Sequence, residues 1–216
     1  MRFDPRVYLV TDRPLCLGRD LVEVVLEAVA GGATVVQLRE KASGGREFVE
    51  LARQLRERLD RRGVPLIIND RIDVALAIGA AGVHVGQSDI HPADARELLG
   101  PEAILGLSVK SVEHARQAAG MPLDYLGVGP IHPTSTKEDA GEALREEGLA
   151  SVRGVTSLPL VAIGGLGRLN AAGAVEAGAD GVAVVSAICS AQSPRRAAAE
   201  LLAEVDAAVA RREGGG

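Results

Sequence analysis

The sequence predicts an α/β fold, a single-domain (β/α)8 barrel of the TIM type, and three observations carry that expectation. Short runs, nearly all fully apolar, alternate with helical patterns along the whole chain. Such runs are buried on both faces, as in a parallel sheet covered by helices. Three strand entrances look alike: GGATVVQ from Gly31, GAAGVHVGQ from Gly79 and GADGVAVVS from Gly178. In each, glycine ends a helix in the left-handed conformation and a small residue opens a β-branched run. About eight such units fit in 216 residues with no linker between them, which favours a closed barrel over an open doubly wound sheet.

Residues 7–10 make the first strand, closed by Thr11-Asp12. Leu21, Val24, Val25, Ala28 and Val29 then recur at helical spacing up to Gly31-Gly32. The second strand, 34–38, delivers Gln37, Arg39, Glu40 and Lys41. Phe48, Leu51, Ala52, Leu55 and Leu59 form the apolar face of a helix that is otherwise charged. Residues 66–68 are the third strand, stopping at Asn69-Asp70. Ile72, Ala75, Leu76 and Ile78 follow as a helix, and 83–85 is the fourth strand, ending at GQSD. Pro92 suits the first turn of the next helix, where a missing N–H costs nothing. The fifth strand, 104–107, ends at Ser108. A helix at 111–119 leads to the sixth strand at 125–128. A polar connection, 129 to about 148, precedes a helix near 149–155. The seventh strand, 160–163, breaks at Gly164-Gly165. A helix at 171–177, the eighth strand at 181–184 and a closing helix at 194–210 complete the barrel domain, 1–210. Residues 211–216 are expected to fray as a flexible tail.

Composition narrows the function. Nearly half the residues are apolar and the net charge is −5, so no basic footprint for nucleic acid exists. Trp is absent and Phe3, Phe48, Tyr8 and Tyr125 are the only aromatic residues, which leaves little for base stacking. MRFDPRVYLV does not read as a signal peptide. The longest weakly polar stretch, 74–85, is too short and too rich in Gly and Ala to span a membrane. Cys16 and Cys189 make no disulfide framework, and a reducing cytoplasm is the expected setting. Of 24 basic residues only Lys41, Lys110 and Lys137 are lysines. Coding bias or a thermostable surface accounts for the arginines.

In a (β/α)8 barrel the chemistry sits where the strands end, and all three lysines follow strand ends. Asp70 follows the third strand and Asp89 the fourth, so both carboxylates reach one rim with Asn69 and Gln87 beside them. Either they hold magnesium, which takes hard oxygen ligands and leaves room for phosphates, or they cap the helices that follow. The rim thus offers a diphosphate site from Arg39, Lys41, Asn69, Asp70, Asp89 and Lys137. The loops after strands seven and eight, with Gly165 and Ser186, suit a monophosphate. Two different phosphorylated small-molecule substrates satisfy both.

QLREK at 37–41, INDR at 68–71, GVHVGQSD at 82–89, LGLSV at 105–109, GPIHPTSTK at 129–137, AIGG at 162–165 and GVAVVSAI at 181–188 together resemble the thiamine phosphate synthase family. The resemblance implies a Mg²⁺-assisted transferase that joins hydroxymethylpyrimidine diphosphate to a thiazole phosphate through a carbocation-like pyrimidine. It implies one Mg²⁺ per subunit on Asp70 and Asp89, and catalytic roles for Lys137, Ser108, Arg39 and Lys41. Gln37, Arg39, Lys41, Asn69, Ser108 and Lys137 would bind the pyrimidine diphosphate. Thr134, Ser135, Thr136, Gly165, Val185 and Ser186 would receive the thiazole phosphate. Independently of the resemblance, the 134–148 loop is longer than most connections and is expected to act as a lid. His132 departs from the aromatic residue the family usually carries there and reads as a rim variant. His84, inside a strand, reads as a satisfied barrel residue. A tautomerase paralogue would keep the monophosphate site but have little use for the acid pair and the diphosphate cations. A phosphosugar isomerase needs a general acid and base near a sugar carbon, and no clear pair is present, while a non-enzymatic phosphate sensor would be told apart by a metal-dependent pyrophosphate-release assay.

Overall fold

The computed structural model describes residues 3–41, 43–134 and 141–214. Its eight strands hydrogen-bond in sequence order and close on themselves. They are β1 (Val7–Val10), β2 (Val35–Leu38), β3 (Leu66–Asn69), β4 (Gly82–Val85), β5 (Ile104–Val109), β6 (Tyr125–Val128), β7 (Leu160–Ile163) and β8 (Gly181–Val184). Every pairing is parallel, including β1 with β8 (Tyr8 opposite Ala183), which seals the ring. The helices are α1 (Leu21–Ala30), α2 (Gly45–Asp60), α3 (Ile72–Ile78), α4 (Pro92–Leu99), α5 (Val112–Gln117), α6 (Arg145–Arg153), α7 (Ala171–Glu176), α8 (Ser186–Cys189) and α9 (Pro194–Gly214). No helix among the described residues is long and apolar enough to cross a membrane.

The strands are mostly apolar on both faces because they serve two cores, with Gln37, Asn69, His84 and Ser108 as the polar exceptions. Side chains alternate in and out along a strand. Leu9, Val36, Leu38, Ile68, Val83 and Leu105 point outward into the layer packed by the helices. Tyr8, Val10, Val35, Ile67, Ile104, Tyr125, Val161 and Ala183 fill the barrel interior. Each fully buried Leu or Ile contributes about 2 kcal/mol.

Two strand glycines make room for the interior rings. A Cβ on Gly106 would lie 2.1 Å from the Tyr125 ring, and one on Gly127 would lie 2.9 Å from His84 Cε1. Phe3 stacks on Tyr125 with ring centroids 4.7 Å apart and fills the floor of the barrel. The repeated strand entrances behave partly as expected. Gly32, Gly79 and Gly178 all have positive φ, but only Gly79 is itself the left-handed cap. The caps of α1 and α7 are Gly31 and Ala177, and the turn follows one residue later.

Carboxylates at the strand entrances tie neighbouring strands together. Asp124, just before β6, accepts the Leu105 N–H at 2.7 Å and the Arg96 guanidinium at 2.7 Å. Asp180, just before β8, accepts the Leu160 N–H at 2.8 Å and Arg153 at 3.2 Å. Arg96 also donates to the carbonyls of Ala103 and Pro122, and Arg153 to that of Leu158. Several arginines therefore have a structural cause beyond coding bias: a planar group with five donors can bind several carbonyls at once.

Four local expectations are corrected. β5 runs on through Ser108 and Val109, paired with Gly127 and Val128. α6 starts at Arg145, so the connection after β6 ends at Leu144 rather than near 148. Leu144 and Arg145 donate to the carbonyls of Pro130 and Ile131, which pulls the helix start forward. The short helix α8 was not expected. The closing helix runs to Gly214 rather than 210, and there Arg211 pairs with Glu176 and Arg212 donates to the Ala179 carbonyl.

Replacing Gly106 with Ala should force the Tyr125 ring out of place and lower stability by about 3 kcal/mol. Urea unfolding of Gly106→Ala beside the native chain checks this, with an unchanged midpoint contradicting the packing described.

Candidate active site

Every described candidate residue lies in the last positions of a strand or in the segment just after it, and so near one mouth of the barrel. Gln37 ends the interior row of β2, is 5% exposed, and donates from Nε2 to the Tyr8 hydroxyl at 2.9 Å. Arg39 is built in from two sides. Its N–H donates to Thr11 Oγ1 at 3.1 Å, and its guanidinium pairs with Asp12 at 3.1 Å. Both side chains of that pair are about 15% exposed, so the cation is aimed rather than waving. Lys41 is exposed on the same loop.

Asn69 is the last residue of β3, and its Nδ2 donates to Asp70 Oδ2 at 2.6 Å. The Asp70 N–H still donates across to the His84 carbonyl of β4 at 2.9 Å, which fixes Asp70 at the mouth between these strands. Asp70 has φ of 62°, a conformation that few residues other than Gly adopt and that Asn and Asp tolerate better than most. Asp89 Oδ2 accepts the Gly86 N–H at 2.7 Å, folding the GQSD turn over the end of β4. The helix-cap alternative for these acids does not hold. The N-cap of α3 is Arg71, and that of α4 is His91, whose Nδ1 accepts the Ala93 N–H.

Ser108 lies one residue before the end of β5. Its Oγ is 2.8 Å from His84 Nε2, and its carbonyl accepts from Gln87 Nε2 at 2.7 Å. After β6 the chain runs alongside the end of β7. Ile131 and His132 donate from their N–H groups to the carbonyls of Ile163 and Gly164. Gly165, with φ of 63°, sits so close to this segment that a Cβ would lie 2.7 Å from His132 Cβ. Thr134 is thereby brought towards the Gly164-Gly165 loop. Val185 precedes α8, and Ser186 is its first residue, exposed at the mouth. In barrels of this kind a phosphate sits between these two loops and the start of a short extra helix. Ser135, Thr136 and Lys137, with part of the expected lid, lie outside the described residues.

His84 is the satisfied barrel residue expected from the sequence, and His132 has a carboxylate beside it. His132 Nε2 lies 3.1 Å from Glu146 Oε1 at the start of α6, close enough to pair though not aligned as a hydrogen bond. His84 is satisfied inside the barrel by Tyr125 and Ser108. That contact belongs to a buried polar row, Gln37, Tyr8, Tyr125, His84 and Ser108, which the sequence reading missed. Its signal was present: the only two tyrosines of the chain fall on strands, at inward positions. Burial pushes both phenols above their ordinary value of 10.0. For Tyr125 the neighbouring Tyr8 adds to the rise.

A family model for thiamine monophosphate synthase matches residues 7–188, from the first strand to the short helix after the last. The chain belongs to the thiamine monophosphate synthase family. Among its relatives, the thiamine-phosphate synthase of Solidesulfovibrio magneticus is 56% identical over 199 residues, covering 92% of this chain and 94% of that one. That of Azorhizobium caulinodans is 53% identical over 199 residues, with the same shares covered. The structure of thiamine phosphate pyrophosphorylase from Pyrococcus furiosus superposes with a TM-score of 0.88 at 38% identity, covering 95% of this chain and 98% of that one. Family membership spans the whole barrel, including each loop that reaches the mouth.

Because both tyrosines are buried, the unfolded chain loses phenolic protons near pH 10 while the folded chain keeps them. Stability should therefore fall as pH rises above about 10, with no such loss below it. An alkaline titration should show phenolate absorbance appearing together with loss of helical circular dichroism. Ionisation of either tyrosine in the folded protein would contradict their burial.

Proposed function

We propose that this protein is a transferase that condenses 4-amino-2-methyl-5-hydroxymethylpyrimidine diphosphate with 4-methyl-5-(2-phosphoethyl)thiazole to give thiamine phosphate and pyrophosphate. The supporting observation is family membership across the whole barrel, combined with one mouth that gathers Arg39, Lys41, Asn69, Asp70 and Asp89 beside the loops after β7 and β8.

The donor chemistry suits magnesium. Asp70 and Asp89 follow neighbouring parallel strands and offer oxygen only. Among the described residues no group of three or more His, Cys, Asp and Glu side chains could hold a metal, so diphosphate oxygens and water would complete the shell, as is usual for Mg²⁺. Bound there, the ion would supply positive charge to the leaving diphosphate. The chain's own cations act on the same oxygens. Arg39, steadied by Asp12, presents a guanidinium, and Lys41 and Lys137 add compact point charges. Asn69 orients the Asp70 carboxylate and contributes to the diphosphate site. Gln37 and Ser108 face the pyrimidine. Gly165, Val185, Ser186 and Thr134, with Ser135 and Thr136, receive the thiazole phosphate.

With the diphosphate charge neutralised, the bond from the exocyclic CH₂ to oxygen breaks and the electron pair leaves on pyrophosphate. The aminopyrimidine donates electron density to the resulting carbocation-like CH₂. The thiazole nitrogen then forms the new C–N bond with its lone pair. No proton has to be removed from the nucleophile, so no general base is required. We place the reaction in the cytoplasm, consistent with the free thiols of Cys16 and Cys189.

Mixed with both substrates and Mg²⁺, the purified protein should release pyrophosphate and form thiamine phosphate, and removal of the metal by a chelator should stop both. Asp89→Ala and Lys137→Ala should each slow the chemical step by orders of magnitude in single-turnover kinetics. Ser186→Ala should mainly raise KM for the thiazole phosphate. Near-native turnover by Lys137→Ala would remove that residue from the mechanism, and an absence of product from the native protein would sink the reading.

A further inference from the structure

Between Gln37 and Ser108 runs an unbroken file of side-chain hydrogen bonds through the barrel interior. Gln37 Nε2 donates to the Tyr8 hydroxyl at 2.9 Å, and the Tyr8 and Tyr125 hydroxyls are 2.8 Å apart. The Tyr125 hydroxyl lies 2.9 Å from His84 Nδ1, and His84 Nε2 lies 2.8 Å from Ser108 Oγ. Gln37, Tyr8, Tyr125 and His84 are all buried. The proposed chemistry needs no proton transfer along this file. A packed apolar interior would support the barrel without the cost of burying so many polar groups.

Counting protons gives the file a direction. Tyr8 oxygen accepts from Gln37, so its single proton goes to Tyr125 oxygen. The Tyr125 proton is then left for His84 Nδ1. A neutral imidazole carries one N–H, which must therefore sit on Nε2 and point at Ser108 Oγ. Ser108 accepts from within the barrel, and its own proton is turned outward. At the other end Gln37 has one N–H engaged by Tyr8, leaving its carbonyl Oε1 as the acceptor of that amide. Burial keeps both phenols protonated, as the count requires.

We propose that this file is a one-way relay that fixes Ser108 as a hydrogen-bond donor and Gln37 Oε1 as an acceptor, so that together they select an aminopyrimidine. The inference rests on the pyrimidine reading above. An aminopyrimidine offers the complementary pair, an unprotonated ring nitrogen and an exocyclic N–H. A 4-oxopyrimidine reverses the pair, presenting a ring N–H and a carbonyl, and would leave buried polar groups unmatched. Tyr8, Tyr125 and His84 are on this account positioning residues that act through Gln37 and Ser108.

Turning the Gln37 amide over would reverse every bond, with the proton of His84 moving to Nδ1 and Ser108 donating inward. The tautomer of His84 therefore reports the direction. We would record nitrogen NMR spectra of imidazole-labelled protein in which His91, His114 and His132 are replaced by Gln, leaving His84 as the only histidine. Protonation at Nε2 with a bare Nδ1 is the expected result. A proton on Nδ1, or an imidazolium, would overturn the relay. This measurement changes nothing inside the barrel.

Kinetics supply a second arm. The native protein should prefer the aminopyrimidine diphosphate over its 4-oxo analogue by about 10⁴ in kcat/KM, and Tyr125→Phe should shrink that ratio by about tenfold or more. Tyr8→Phe serves as the second variant should Tyr125→Phe fold poorly. A ratio unchanged in a variant with native circular dichroism would overturn the selection role. Product formation with the reversed tautomer would sink the relay alone. No product from the native protein would sink the pyrimidine reading and the ligand assigned to the relay.

Discussion

Eight parallel strands closed into a ring put every backbone donor and acceptor of the sheet in a ladder, leaving no edge to protect. Parallel pairing also orients all eight chains the same way, so each strand exit opens at the same mouth. The backbone bond from Asp70 to the His84 carbonyl and that from Thr11 to the Gln37 carbonyl extend this pairing just past the strands. Loops that carry the charged residues thus start from fixed points. The positions of Arg39, Asn69, Asp70 and Ser108 all descend from that closure.

Inside the ring, apolar packing gives way to a polar row between β2 and β5. Two bulky phenols and an imidazole fit there only because β5 and β6 each place a glycine opposite a ring. Such a row is costly to bury unless every member is paired, and here each of its links falls between 2.8 and 2.9 Å. The interior is therefore more than filler, because it joins two residues on separate strands at the mouth into one hydrogen-bonded unit.

The barrel was legible because its strands are apolar on both faces at most positions and its helices are not. Asp70, Asp89 and Gly165 were legible because strand ends are marked by abrupt changes to Asn, Asp or Gly. The polar row was not. Tyr8, His84 and Tyr125 lie far apart in the chain, and only the register that sets Asn69 beside His84 and Ser108 beside Gly127 brings their faces inward together. α8 escaped notice because four residues are too few to show helical periodicity. Its start is set by the backbone turn at Val185 rather than by a capping side chain. Asp12 looked like a strand terminator, and its hold on Arg39 depends on the pairing of β1 with β2.

The two ends of the strands use charge differently. At the entrances, Asp124 with Arg96 and Asp180 with Arg153 bind backbone N–H and carbonyl groups, and this charge is consumed within the scaffold. At the exits, Arg39 and the two acids are held by short local bonds that leave them facing the mouth. Structural load and the candidate site thus lie at opposite poles of the same eight strands. Substitutions that harden the scaffold can therefore be made at one pole without touching the side chains gathered at the other.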